Sequence, residues 1–179
     1  MKIAIFGGSF DPVHLGHEKV VYTALDSLDI DKLIILPTYI SLFKDNFSAS
    51  PSLRMKWLKQ VFKENDKLYI SDYEIKQNKP VPSINSVEYF KKTLNPSLIY
   101  FIIGADHLKT LHKWHNYDEL KSLVTFVIAS RDNIFIPSDY LRLDINEDIS
   151  SSFIRNELIL EKVNENIKNE VKEYYKGKK

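Results

Sequence analysis

Cysteine is absent from this chain of 179 residues, and that one absence removes several chemistries at once. No disulfide framework can hold the fold, no thiolate can bind a metal, and no cysteine nucleophile can carry a covalent intermediate. The absence is also compatible with a reducing compartment. Glycine is scarce, with five in all, yet residues 7, 8 and 16 are three of them. Long apolar runs are missing too, and nothing approaches the ~20 residues that a membrane span needs. No charge of one sign dominates: 25 Lys and Arg stand against 24 Asp and Glu, for a net charge of +1. A sequence-blind nucleic-acid binder carries a basic excess. Nucleic acid and membrane are therefore not expected as partners, and any anion must be held by a local site. Met1 leads straight into strand-like residues with no basic stretch and apolar core of a secretory signal, so a cytoplasmic location is expected. The closing "YYKGKK" reads as a solvated basic tail. The length fits a single domain over residues 1–179, large enough to bury roughly 70% of its unfolded surface.

What is present alternates. The runs "IAIF" (3–6), "LIIL" (33–36), "LYI" (68–70), "IYFII" (99–103) and "TFVIA" (125–129) read as buried strands. Between them lie helical patterns. Residues 51–63 open with Ser50-Pro51 as a cap and first-turn proline, then repeat Leu53, Trp57 and Val61. Ile84, Val87, Phe90 and Leu94 mark a second helix, and Val163, Ile167, Val171 and Tyr174 a last one. This alternation predicts an α/β fold: a doubly wound, mostly parallel sheet covered on both faces, with a helical segment at the C-terminal end. The irregular stretch from Pro37 to Ser50 is long for a connection, and long loops tend to carry function.

Three short strings hold the residues that could do chemistry. "GGSFDPVHLGH" (7–17) follows the first strand and precedes the first helix, where open α/β sheets bind ligands. Gly7 and Gly8 let the backbone approach a ligand, and the helix start offers amides and a favourable dipole to an anion. His14 and His17, three apart, share a face, and Gly16 between them leaves room across the turn. The spacing matches neither the Rossmann fingerprint nor a P-loop. In "ISSSFIR" (149–155), consecutive serines can cap a helix or hold an anion, and Arg155 supplies a planar cation suited to phosphate. Read alone, that string is equally an ordinary cap with a surface arginine. "GADHLKTLHKW" (104–114) puts a glycine and an acid past a strand end, with Trp114 placed either to stack on a ring or to fill a core. Lys44, in the long loop, is a further cation.

Together these strings resemble the bacterial nicotinate-nucleotide adenylyltransferases, within the nucleotidyltransferase superfamily marked by a His-x-Gly-His turn. The three motifs stand in the family's order and spacing across nearly the whole chain. The resemblance implies transfer of the adenylyl group of ATP to nicotinate mononucleotide, with Mg²⁺ carried mainly on the ATP phosphates and no protein metal ligands. On these positions it implies that His14 and His17 act at the attacked phosphate, with Lys44 and Arg155 as further catalytic cations. Gly8, Ser9, Phe10 and Gly16 would line the substrates, and Ser151 and Ser152 would hold the departing phosphates. Gly104 and Asp106 would lie at the nucleotide, Asp106 on a ribose, and Trp114 would stack on the pyridine ring. Ser83 and Asn85 fall in "SINSV" (83–87), similar to the family segment whose preceding backbone reads the pyridine substituent.

The chain departs from the family at three places. "LFK" (42–44) stands where Pro-His-Lys or Pro-His-Arg is common, Pro82 where a tyrosine is usual, and Asn85 where an aspartate is usual. Two alternatives remain at this point. One is an adenylyltransferase for phosphopantetheine or another member of the superfamily. The other is a non-catalytic nucleotide-sensing module, against which the set His14, His17, Lys44 and Arg155, taken as four cations, argues. Oligomeric state and the choice between acid and amide mononucleotide are not written in these residues.

Overall fold

Both faces of the central strands are apolar, which leaves no side of the sheet for water. The computed structural model describes residues 1–42, 46–131 and 133–178. In β1 (Lys2–Gly8), Ile3 and Ile5 enter one core while Ala4 and Phe6 enter the other. The same split divides Ile34 from Ile35 in β2 (Lys32–Pro37), Phe101 from Ile102 in β4 (Leu98–Gly104), and Phe126 from Val127 in β5 (Thr125–Ala129). Strands buried on both faces give unbroken apolar runs and need helices on either side. With β3 (Leu68–Ile70) these are the five expected strands. A sixth, β6 (Leu141–Leu143), goes beyond them: it is three residues long with two exposed, so it shows no apolar run. All neighbours pair in parallel, in the order β3-β2-β1-β4-β5-β6.

The helices divide as the sheet demands. Buried residues of α1 (Leu15–Ser27), α2 (Pro51–Val61), α6 (Ser151–Glu157) and α7 (Glu165–Lys176) fill one core. α4 (Ser83–Leu94) and α5 (Tyr117–Leu123) fill the other. A four-residue helix, α3 (Tyr73–Lys76), links β3 to α4. Two short elements, α3 and α5, lack the length to show a period in sequence. The strand order reverses between β1 and β4, so a crevice opens beyond their carboxyl ends.

Ser50 caps α2 as expected, its Oγ accepting from the Leu53 amide at 3.3 Å, with Pro51 in the first turn. The buried face of α2 keeps Trp57 and Val61 of the repeat seen in sequence, with Leu53 packed against the same core, and is wider than that repeat. It runs through Arg54, Trp57, Leu58 and Val61, so a guanidinium enters the core. Arg54 donates from Nε to the Ala49 carbonyl at 3.1 Å and from its two terminal nitrogens to the Ser9 and Tyr39 carbonyls, each at 2.6 Å. A buried charge needs such partners. Here they come from both ends of the long loop and from the loop after β1.

The closing segment is solvated only in part: Lys176, Gly177 and Lys178 are exposed, but the two tyrosines before them are packed. Tyr175 is 3% exposed and its hydroxyl donates to the Asp11 carboxylate, while the Tyr174 hydroxyl donates to the Ser48 carbonyl at 2.8 Å. Lys178 donates to the same carbonyl. The reason is helical register: Ile167, Val171 and Tyr175 stand four apart on the buried face of α7. Asp11 also accepts from the amides of Ser48 at 2.9 Å and Ala49 at 3.0 Å. Replacing Tyr175 by Phe removes a donor to a buried carboxylate and should lower the unfolding free energy by about 2 kcal/mol. The change Lys176→Ala, on the exposed side of the same helix, should stay within about 0.5 kcal/mol in the same urea titration.

Candidate active site

The loop leaving β1 is shaped by one aromatic ring. Phe10 adopts φ 49°, in the left-handed region that side chains avoid, and is 1% exposed. Its ring meets Phe6 edge-on at 5.5 Å and His17 at 4.8 Å. A Cβ at Gly8 would come within 3.2 Å of that ring, so the glycine allows the turn to fold over its own phenylalanine. Gly8 and Ser9 line the crevice, whereas the Phe10 side chain belongs to the core. Gly16 has a similar reason: a Cβ there would lie 3.1 Å from the His14 ring and 3.2 Å from Ile149. The room it leaves is already taken by a histidine and by the segment before α6.

The two histidines form a unit. His14 is the N-cap of α1, and its backbone amide donates to His17 Nδ1 at 3.2 Å. That bond leaves the ring proton of neutral His17 on Nε2. The rings stack with centroids 3.7 Å apart. Burial pushes the His14 imidazole down to about 3, and Arg131 adds to the effect. For His17 burial again leads, followed by His14 and Arg131, and holds its pKa well below the ordinary value. The reading of four cations is therefore corrected: in the unliganded protein both histidines are neutral, and they offer N–H dipoles instead of charge.

α6 closes on this loop from the far end of the chain. Ser150 is its cap, accepting from the Phe153 amide at 3.0 Å. Ser151 Oγ donates to the Pro12 carbonyl at 2.8 Å. Arg155 donates to the Asp11 carbonyl at 2.5 Å and to Ser152 Oγ at 3.1 Å. A guanidinium carries five N–H donors, so three remain for a ligand. Strings 7–17 and 149–155 thus share one place.

A cleft of about 140 Å³ lies beside them, lined among others by Gly7, Gly8, Leu36, Ser83, Phe101 and Trp114. The Trp114 ring meets Phe101 edge-on at 6.4 Å, and its indole nitrogen is buried with no partner among the described residues. Ser83 opens α4 at the cleft, whereas Asn85 is exposed and outside the cleft lining. Gly104 ends β4, and a Cβ there would collide with the Asp106 carboxylate. Asp106 is 3.9 Å from the Arg131 guanidinium and 4.0 Å from His107. Phe43 and Lys44 lie outside the described residues. Among the described residues no group of three or more His, Asp or Glu is placed to hold a metal ion.

Sequence reasoning missed Asp11, Arg54, Tyr175, Glu74 and Ser86. Arg54 left a signal, a cation three residues before a buried tryptophan on the same helix face. The Asp11 carboxylate left none beyond a turn-forming Asp-Pro, because its partners are remote in sequence.

Comparisons with known proteins bear on the family and the fold. Residues 5–157 match the cytidylyltransferase-like family. A Campylobacter jejuni protein named "probable nicotinate-nucleotide adenylyltransferase" is 55% identical, over 98% of this chain and 97% of its own length. Its namesake in Campylobacter fetus is 51% identical over 99% and 98%. The structure of Plasmodium falciparum nicotinic acid mononucleotide adenylyltransferase complexed with NaAD superposes with a TM-score of 0.74, covering 99% of this chain and 95% of that one at 20% identity. It is evidence for the fold.

The neutral histidines have a measurable consequence. Below the ordinary value of 6.5 the unfolded chain takes up protons that folded His14 refuses, so stability falls as pH falls. His14 alone should contribute about 1.4 kcal/mol per pH unit to that loss. Urea unfolding at about pH 7, 6 and 5 should show the slope, and His14→Gln should reduce it by that amount.

Proposed function

The chain belongs to the cytidylyltransferase-like family and, within it, to the nicotinate-nucleotide adenylyltransferases, and from that premise we propose that it joins ATP to nicotinate mononucleotide, giving deamido-NAD and pyrophosphate. The observation that carries the reading is the bond from Arg155 to the Asp11 carbonyl, which brings both anion-binding motifs to one end of the sheet. The whole chain acts as one nucleotidyltransferase domain. No described helix is long and apolar enough to cross a membrane. The cytoplasm is the compartment proposed for the reaction.

A phosphate oxygen of the mononucleotide attacks the α-phosphorus of ATP, forming one P–O bond. The bond from that phosphorus to the bridging oxygen breaks, and pyrophosphate leaves with the electron pair. The attacking phosphate has a second pKa of about 6 and is largely dianionic at neutral pH, so no general base is needed. What remains is to bring two polyanions together and to steady the charge that develops. His17 donates its Nε2 proton in a hydrogen bond to a non-bridging oxygen of the attacked phosphate. Its tautomer is preset by the His14 amide, and burial, which holds its pKa well below the ordinary value, keeps it a neutral donor. His14 flanks it, and Lys44 adds a cation. Arg155, with Ser151 and Ser152, holds the phosphates that depart.

Gly8 and Ser9 face the substrates through the backbone. Gly104 and Asp106 meet the nucleotide, Asp106 at a ribose hydroxyl. Trp114 stacks on the pyridine ring, with Ser83 at the opening of α4 beside it. Asn85, exposed, has no place in that contact. The family uses a divalent cation; Mg²⁺ supplies charge neutralisation on the ATP phosphates. It would be held mainly by their oxygens and by water.

Pyrophosphate release should require ATP, Mg²⁺ and a pyridine mononucleotide together, with none from phosphopantetheine. The change His17→Ala should reduce kcat by at least about 100-fold in a variant whose circular dichroism still shows the wild-type fold. A variant that kept the wild-type kcat would remove His17 from the reaction.

A further inference from the structure

One carboxyl group at the cleft is used by none of these steps. Glu74, on α3, is 4% exposed and lines the cleft together with Ser83 and Trp114. Its Oε1 accepts from the Ser86 hydroxyl, 2.6 Å away on α4. Its Oε2 is buried and has no partner among the described residues. A buried carboxyl oxygen without a partner is expensive to keep, and folded proteins retain few of them. Here the missing partner has a direction to come from, since the residue borders the space where a ligand enters.

We propose that Glu74 is a specificity-determining residue at the acceptor end of the cleft: as a neutral acid it donates its Oε2 proton to an oxygen of the ring substituent on the bound mononucleotide, and so admits a carboxylate there. The inference rests on the acceptor reading above. An ionised Glu74 would set a second negative charge against a substrate carboxylate, whereas an amide could donate its own N–H to the same oxygen. The protonation state of one side chain then decides between the two substituents.

The surroundings favour the neutral form. Burial pushes the Glu74 carboxyl up to about 7, with the Ser86 hydroxyl the one opposing influence. The ionisable groups near it are few. On α3 it is followed by Lys76, which pairs with Asp72 at 3.0 Å, and preceded by Tyr73, whose ring stacks on Tyr89 of α4 at 3.9 Å. His107 lines the cleft from the turn after β4. The described cleft residues of β1, β2 and β4 are Gly7, Gly8, Leu36, Phe101 and Ile103, none of them ionisable. No cation among the described residues is hydrogen-bonded to Glu74.

The test is the ratio of kcat/KM for nicotinate mononucleotide over nicotinamide mononucleotide, measured with the full chain, ATP and Mg²⁺. Both acceptors carry the same phosphate, so its titration and that of the rest of the site cancel in the ratio. Between about pH 6 and pH 8 the ratio should fall about tenfold as Glu74 ionises. In Glu74→Gln, which keeps an acceptor for Ser86 and a permanently neutral donor in place of Oε2, the ratio should be flat. A flat ratio in the wild type overturns the proposal, as does an unchanged slope in the variant. Turnover of neither mononucleotide would overturn the acceptor reading itself, and this inference with it.

Discussion

The Asp11 carboxylate is the point on which the rest of this structure hangs. It is buried, and it gathers the amides of Ser48 and Ala49 and the hydroxyl of Tyr175 onto two oxygens. Its own backbone carbonyl accepts from Arg155. One residue thereby joins the loop after the first strand to the end of the long loop, to the serine-rich helix and to the final helix. Each of these contacts spans between 37 and 164 residues of sequence. Arg54 works alongside it from the second helix, holding carbonyls on both sides of the same loop. A buried charge must be satisfied from every direction, so the pair leaves these segments little freedom.

That constraint explains how a nearly neutral chain can handle two polyanions. With a net charge of +1 the protein has no broad field to attract them. Attraction has to be local: the donors of Arg155, the amides at helix starts and the oriented N–H groups of two stacked histidines. Neutral histidines suit this role, because two positive rings 3.7 Å apart would repel each other before any phosphate arrived. The carboxyl group of Glu74 follows the same logic, being buried where its charged form is disfavoured.

Several elements were legible in advance. The five apolar runs became strands because a parallel sheet buried on both faces tolerates only such runs, and Ser50-Pro51 announced the start of its helix correctly. β6 was not legible, since two of its three residues face solvent. In the closing "YYKGKK" Lys176 and Lys178 are exposed as expected, whereas Tyr175 continues the buried stripe of Ile167 and Val171. Gly16 was legible as a need for space, but not as space for His14 and Ile149.

The sequence by itself determined what is local: strand periods, helix caps, the residue types fit for phosphate, and the resemblance those types carry. Tertiary structure alone decided which of them meet and in what protonation state. His14 and His17 look like cations in the sequence and become neutral only through burial, a property of packing. Asp11, Arg54 and Glu74 look like surface charges, and only folding removes water from them. Desolvation depends on everything that surrounds a group in space, and no window of neighbouring residues contains that information.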